Sequence, residues 1–366
     1  MTKIYPAVKI KAGEIEAFLK SERVVVDAAT PVFDVARPSS KTPIQKRLND
    51  SLNLLRKVWP RISREFYLDL RDLSLESRLE NGAHPVYYLA NHLAYHGYKA
   101  IHCFGFDRDD AYEDAIAKVL AENSNAKVAL RLEQQDMKLL DITEDLARGF
   151  LGRVSKNFET TTVFLDLQSI HQSTDDLSAL VERSYLRFKK LGVNHIVLLA
   201  SAMWDFTRIK TEKINMVPRL DIGLWDQLRR KGLELGYGDY GVVAPSFIDP
   251  EKTVIPAPKL RYTTNSHWLV AKGEKPRKGE NSQYPRLAQR LMKAAEFRAN
   301  DLGWGHDRLR EFASYEQTTV GHARAVAIDT CTHLDIVTRQ VMFTEHELAT
   351  TKLEKENSVG QAAPLK

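Results

Sequence analysis

"KVALRLE", residues 127–133, carries the reading of the fold. Side chains alternate across a strand with period two, so Val128, Leu130 and Leu132 share one face while Ala129, Arg131 and Glu133 share the other. "TVFLDLQ" (162–168) repeats the pattern, with Val163, Leu165 and Leu167 opposite Phe164, Asp166 and Gln168. "EFYLDLR" (65–71) does so again, with Phe66, Leu68 and Leu70 opposite Tyr67, Asp69 and Arg71. An open parallel sheet is covered by helices on both faces, and its strands read as continuously apolar. Here one face is aliphatic and the other turns polar toward the strand's C-terminal end. A barrel accounts for both faces, with an outer side against helices and an inner side ending at a polar mouth.

The rest of the chain supplies matching units. Strand patterns fall at 30–36 ("TPVFDVA"), 65–71, 100–106, 127–133, 161–168, 195–201, 239–245 ("DYGVVAP") and 259–264 ("KLRYTT"), with helical patterns between most of them. Alternating strands and helices imply parallel pairing through right-handed crossovers. Eight units over this length match a closed (β/α)8 barrel, and an open doubly wound sheet is the main rival. Residues 246–258 and 272–283 read as loops. The expected division is a barrel over 1–294, a C-terminal helical extension packed on it over 295–352, and a flexible tail over 353–366.

Composition sets the class. The 366 residues are 43% apolar and 28% charged with a net charge of +5, a mixed surface with no polybasic arm. The two cysteines, Cys103 and Cys331, build no disulfide framework. The N-terminal residues lack the apolar core of a signal peptide, and the longest apolar run, "HIVLLASAMW", is too short to cross a bilayer. A cytoplasmic protein without membrane contact is the expectation.

The barrel mouth is the candidate site. It gathers Asp34, Asp69, Arg71, Arg131, Glu133, Asp166 and Gln168, and the last two strand patterns add Asp239, Tyr240, Arg261 and Tyr262. Carboxylates supply acid, base or metal ligation, and arginines recognise phosphate or carboxylate. The competing reading is a neutral Asp–Arg network that only closes the barrel end. A divalent cation held by Asp34, Asp69, Glu133 and Asp166 is physically allowed. No Walker A, GxGxxG or GxSxG motif is present. His92 and His96 share a helix face, but Leu93 stands where a zincin needs Glu, so they read as ordinary histidines. The cations interleaved with Tyr262 and Trp268 could line single-stranded nucleic acid, and read more plainly as a strand and a solvated loop.

Several pieces also carry a resemblance: "YPAVKIKAGEIEAF", "TPVFDV", "FYLDL", "LRL" (130–132), "FLDL" (164–167), "YGDYGVV" (237–243), "LRYTTNSHWLVAKG" (260–273) and "THL" (332–334). On these the chain, up to about residue 345, resembles the beta family proteins of bacteriophages and bacteria. It departs from that pattern at Asp34, where the family has Glu, and at His333, which stands without a second histidine beside it. The resemblance implies a phage or mobile-element setting, with a role in host–phage conflict, and supplies no mechanism. It points to Asp34, Asp69, Arg131, Asp166, Asp239, Tyr240, Arg261 and Tyr262 as the positions that matter.

Two functions fit. One is a hydrolase or phosphodiesterase acting on an anionic nucleotide or nucleic-acid substrate, with Asp34, Asp69, Asp166 and Asp239 catalytic and Arg131, Glu133, Tyr240, Arg261 and Tyr262 binding substrate. The other is a non-catalytic protein that binds a host or phage partner.

Overall fold

A computed structural model describes residues 3–123, 125–171, 175–202, 209–246, 256–276, 282–298, 303–314 and 321–361. The strands are β1 (Ile4–Lys9), β2 (Val32–Asp34), β3 (Phe66–Asp69), β4 (Ala100–Phe104), β5 (Val128–Glu133), β6 (Thr162–Ser169), β7 (His195–Ser201), β8 (Ile214–Pro218), β9 (Gly236–Asp239), β10 (Lys259–Thr263) and β11 (His267–Lys272). Eight of them close into a parallel barrel in the order β1-β2-β3-β4-β5-β6-β7-β9. Strands β10, β11 and β8 form a separate three-stranded sheet, and each pairing in it is antiparallel.

The barrel is therefore closed as the alternation requires, with one member exchanged. Residues 259–264 are not the eighth barrel strand; they pair with β11 outside it. The missing member is β1, which pairs with β2 on one side and β9 on the other. The segment expected at 239–245 lies earlier, at Gly236–Asp239. Its inward positions are glycines, and Tyr5 fills the space: a Cβ on Gly238 would meet the Tyr5 carbonyl oxygen at 2.8 Å, and one on Gly236 the Tyr5 ring at 2.9 Å.

Two apolar clusters separate the faces of the barrel wall. Tyr5, Ala7, Val32, Tyr67, Ile101, Cys103, Ala129, Phe164, Val197 and Leu199 pack inside. Val8, Phe33, Leu68, Phe104, Leu130, Leu165 and Leu198, which alternate with them, pack outward under the helices. Helix Ile44–Ile62 shows why that shell forms. Leu48, Leu52, Leu55, Val58 and Ile62 recur every three or four residues and are buried as one stripe.

The helix His322–Gln361 completes the shell. Its Leu334, Val337 and Val341 join the outer barrel core, and it packs on helix Ala12–Lys20 and on β1. It also covers the second sheet, whose own core draws Leu260, Tyr262 and Leu269 together with Leu287, Leu309, Phe312, Ala325 and Ile328. That core takes residues from both sides of position 294. The helix continues through the first part of the expected tail, and residues 362–366 lie outside the described residues.

Candidate functional site

Inward residues at the C-terminal ends of β2, β3, β5 and β6 meet on one guanidinium. Arg131 is 1% exposed, and its Nε donates to Asp166 Oδ2 at 2.9 Å. Its Nη1 donates to Asp34 Oδ1 at 2.9 Å and to Asp69 Oδ2 at 2.8 Å. Its Nη2 donates to the Tyr240 hydroxyl at 2.8 Å. Every nitrogen of the guanidinium thus has a partner, which is what a buried cation requires. The register sets this up, since β2 and β3 pair Asp34 with Asp69 and β5 and β6 pair Glu133 with Asp166.

A second tier surrounds that centre. Lys9 Nζ donates to Asp34 Oδ2 at 3.2 Å, to Asp72 Oδ2 at 2.6 Å and to the Pro245 carbonyl at 3.1 Å. Arg108 Nη2 reaches both oxygens of Asp69, at 3.0 and 3.2 Å, and its Nη1 pairs with Asp107. Arg71 Nη1 donates to Asp166 at 2.8 Å, and its Nη2 pairs with Glu133. Ion pairs so join six carboxylates (Asp34, Asp69, Asp72, Asp107, Glu133 and Asp166) to four cations (Lys9, Arg71, Arg108 and Arg131). Two strand ends share a turn that steadies the acid: Asp69 accepts from the Arg71 amide and Asp166 from the Gln168 amide, at 2.9 and 2.8 Å. Gln168, half-buried, sits at the β6 register shift with a positive φ of 55°.

Electrostatics divides the network in depth. Burial alone would raise the Asp34 carboxyl, but Arg131 and Lys9 outweigh it and hold it well below the usual range. Burial also opposes ionisation of Asp69, and Arg108 and Arg131 pull it below its ordinary value. Nearer the rim the balance reverses. Burial pushes Glu133 up by more than Arg71 draws it down, and Asp72 is raised by burial in the same way despite Lys9. The side chains of Arg71 and Glu133 are 12% and 27% exposed, so solvent reaches the network at this pair, as it does at Asp107.

Asp34, Asp69, Asp166, Arg131, Glu133 and Tyr240 are thus brought together, with Arg71 beside them. Asp239, Arg261 and Tyr262 are not part of this cluster. Adjacent strand residues face opposite ways, so Tyr240 turns inward and Asp239 outward. Asp239 Oδ2 accepts from Tyr237 at 2.7 Å and lies 2.9 Å from His333 Nε2 on the C-terminal helix. Burial opposes its ionisation, yet chiefly His333 draws it down to about 2. Arg261 pairs with Asp329 at 3.0 Å, and Tyr262 packs against Phe297 and His306 in the second core. Lys9, Asp72 and Arg108 joined the site without being singled out from sequence. Lys9 follows once β1 is placed in the barrel.

The arrangement does not suit the divalent cation that the sequence allows. Asp34, Asp69 and Asp166 converge, but on Arg131, which supplies the positive charge itself. Among the described residues no group of three or more His, Cys, Asp or Glu side chains is placed to hold a metal ion.

A sequence-family model described as Beta protein matches residues 5–339, nearly the whole barrel and the first part of the helix that completes it. The chain belongs to the Beta protein family. The match spans the strands that bear Asp34, Asp69, Arg131 and Asp166. No curated protein matches the sequence. Among solved structures the apo form of 3-keto-D-glucoside 4-epimerase, YcjR, from E. coli is similar, with 11% identity over 69% of this chain and 94% of that one, at a TM-score of 0.32. No helix among the described residues is long and apolar enough to cross a membrane.

Proposed function

We propose that this Beta protein family member is a hydrolase of the phosphodiesterase type, acting on an anionic nucleotide or nucleic-acid substrate at the C-terminal mouth of the barrel. The observation that carries the reading is the partly exposed Arg71–Glu133 pair standing on a buried, fully bonded ion network. Active sites of such barrels lie at this end. An incoming phosphate engages Arg71, whose planar fork suits it, and displaces Glu133 from that cation. The freed carboxyl, already raised by burial, is placed to take a proton from water as its oxygen bonds to phosphorus and the P–O bond to the leaving alcohol breaks, and to return that proton to the departing oxygen. Arg131 and its three aspartates position Arg71 and Tyr240 and take no part in the bond changes.

One observation favours a second reading, a non-catalytic protein that binds a host or phage partner. The inner network is saturated, and two described cavities that touch its residues each hold about 10 Å³, room for roughly one water. The purified protein, tested on nucleotides, RNA, DNA and simple phosphodiesters with and without Mg²⁺ or Mn²⁺, separates the two. Turnover that is lost in both Glu133→Gln and Arg71→Ala, with melting curves unchanged, supports the enzyme. Turnover that survives both substitutions, or its absence on every substrate, defeats it.

A further inference from the structure

The largest described cavity lies on the barrel's flank, away from the mouth. It is a cleft of about 610 Å³ between helices Pro85–Tyr95 and Asp110–Glu122, within the size range of small-molecule sites. Its floor holds His102. On β4, Ile101 and Cys103 face the barrel interior, so His102 between them faces out under the two helices. It is 4% exposed, and no side-chain hydrogen bond reaches its imidazole within the described chain. An imidazole bordering a cleft can donate to and accept from whatever occupies it.

The walls indicate what would satisfy it. Lys127 is already paired with Glu65 at 2.6 Å, and Glu122 accepts from the Tyr87 hydroxyl at 2.9 Å. The four lining charges, Lys99 and Lys127 against Glu65 and Glu122, cancel. The walls also carry the carboxamides of Asn91, Asn123 and Asn125. Carboxamide and neutral imidazole each donate and accept, the same dual character a hydroxyl has. Leu93 and Val119 add an apolar surface suited to C–H groups.

We propose that this cleft is a binding site for an uncharged polyhydroxylated small molecule, of sugar or polyol type, that hydrogen-bonds His102. Burial lowers the imidazole's pKa to about 4, so it is neutral at physiological pH and does not select for anions. The site is independent of the ion network at the mouth.

The test follows the His102 ring signals by NMR in isotope-labelled full-length protein, with the resonance assigned through His102→Gln. Probes are glucose, trehalose and myo-inositol, with glutamate, glucose 6-phosphate and spermidine as charged arms. A saturable shift with at least one neutral probe is expected. His102→Leu, read by calorimetric titration because it has no ring signal to follow, should weaken that binding about tenfold, the cost of a lost hydrogen bond. Ala94→Trp, an exposed wall position, should block it while leaving the melting curve in place, and Glu133→Gln should leave it intact. The proposal is overturned if no neutral probe moves His102, if only charged probes do, or if binding survives Ala94→Trp.

Discussion

Arg131 is the residue on which the barrel end turns. Its side chain holds three aspartates that would otherwise repel one another in a dry interior. Arg131→Met should therefore cost about 3–5 kcal/mol, because it strands buried carboxylates and does not merely delete a contact; urea unfolding at neutral pH measures it, and a loss below 1 kcal/mol would reject the account. The depressed acids set the acid limb of stability. A carboxyl held low in the folded state contributes stability present above its unfolded value of roughly 3.9, lost as pH falls through the folded value. Asp34 and Asp69 lie below their ordinary values and Asp239 at about 2, so urea midpoints should drop steeply below the unfolded range. Asp329 works the other way. Burial outweighs Arg261 and raises it to about 7, so its contribution is complete at acid pH and fades as pH climbs toward that value. Asp329→Asn should flatten the slope of stability between roughly pH 4 and 7. At the rim, burial raises Glu133, so turnover should fall as pH drops through that carboxyl's raised range and protonates the base, which a pH–rate profile would detect.

At the scale of the element, the strands that could be read from sequence were those with regular alternation. β3, β5 and β6 each place aliphatic residues outward and polar or aromatic ones inward, and the packing clusters separate along that line. β1 was not legible in the same way. "IYPAVK" contains a proline, which argues against a central strand, and its inward face carries Tyr5, Ala7 and Lys9 in place of a uniform apolar run. β9 reads as a turn because two of its four residues are glycines, and the space they leave is taken by Tyr5 from the neighbouring strand, a fact no local window contains. β10 alternates well enough for a barrel strand, and only its antiparallel partner β11 reveals its place. Period two forbids neighbours such as Asp239 and Tyr240 from sharing a face, and that constraint is visible in the sequence itself. The tight seat around Tyr5 makes a prediction: Gly238→Ala should lower stability by about 1–3 kcal/mol, since its Cβ would press on backbone at 2.8 Å. An unchanged melting temperature would show that the strand relaxes around it.

At the scale of the whole molecule, the long helix His322–Gln361 joins two cores. One stripe lies on the barrel through Leu334, Val337 and Val341, another on the second sheet through Ala325, Ile328 and Ile336. Its polar contacts run along the same path: His333 meets Asp239, Gln340 accepts from Arg219 at 2.9 Å, and Glu345 takes both ends of the Arg229 fork at 2.7 Å. A chain ending after Gly321 should not fold, because both cores lose a wall. One ending after Thr351 keeps every contact named here and should melt within a few degrees of the full chain. Circular dichroism melts of the two truncations decide it. The sequence shows the barrel, its alternating helices and a C-terminal helical extension packed on it, but not which side of the barrel that extension covers. The helix covering the β1–β9 side is separated from β9 by some eighty residues that include β10 and β11, and no short-range pattern signals so distant a return.

That distance has a cost during synthesis. On the ribosome β1 is made before the other described strands, yet the helix that shields its flank is translated after all eleven of them. Until then the nascent barrel holds an uncovered apolar seam, and contacts between such remote segments form slowly. Chaperone dependence and aggregation in rapid expression should therefore trace to that seam, and should lessen when translation of the final segment is not the limiting step.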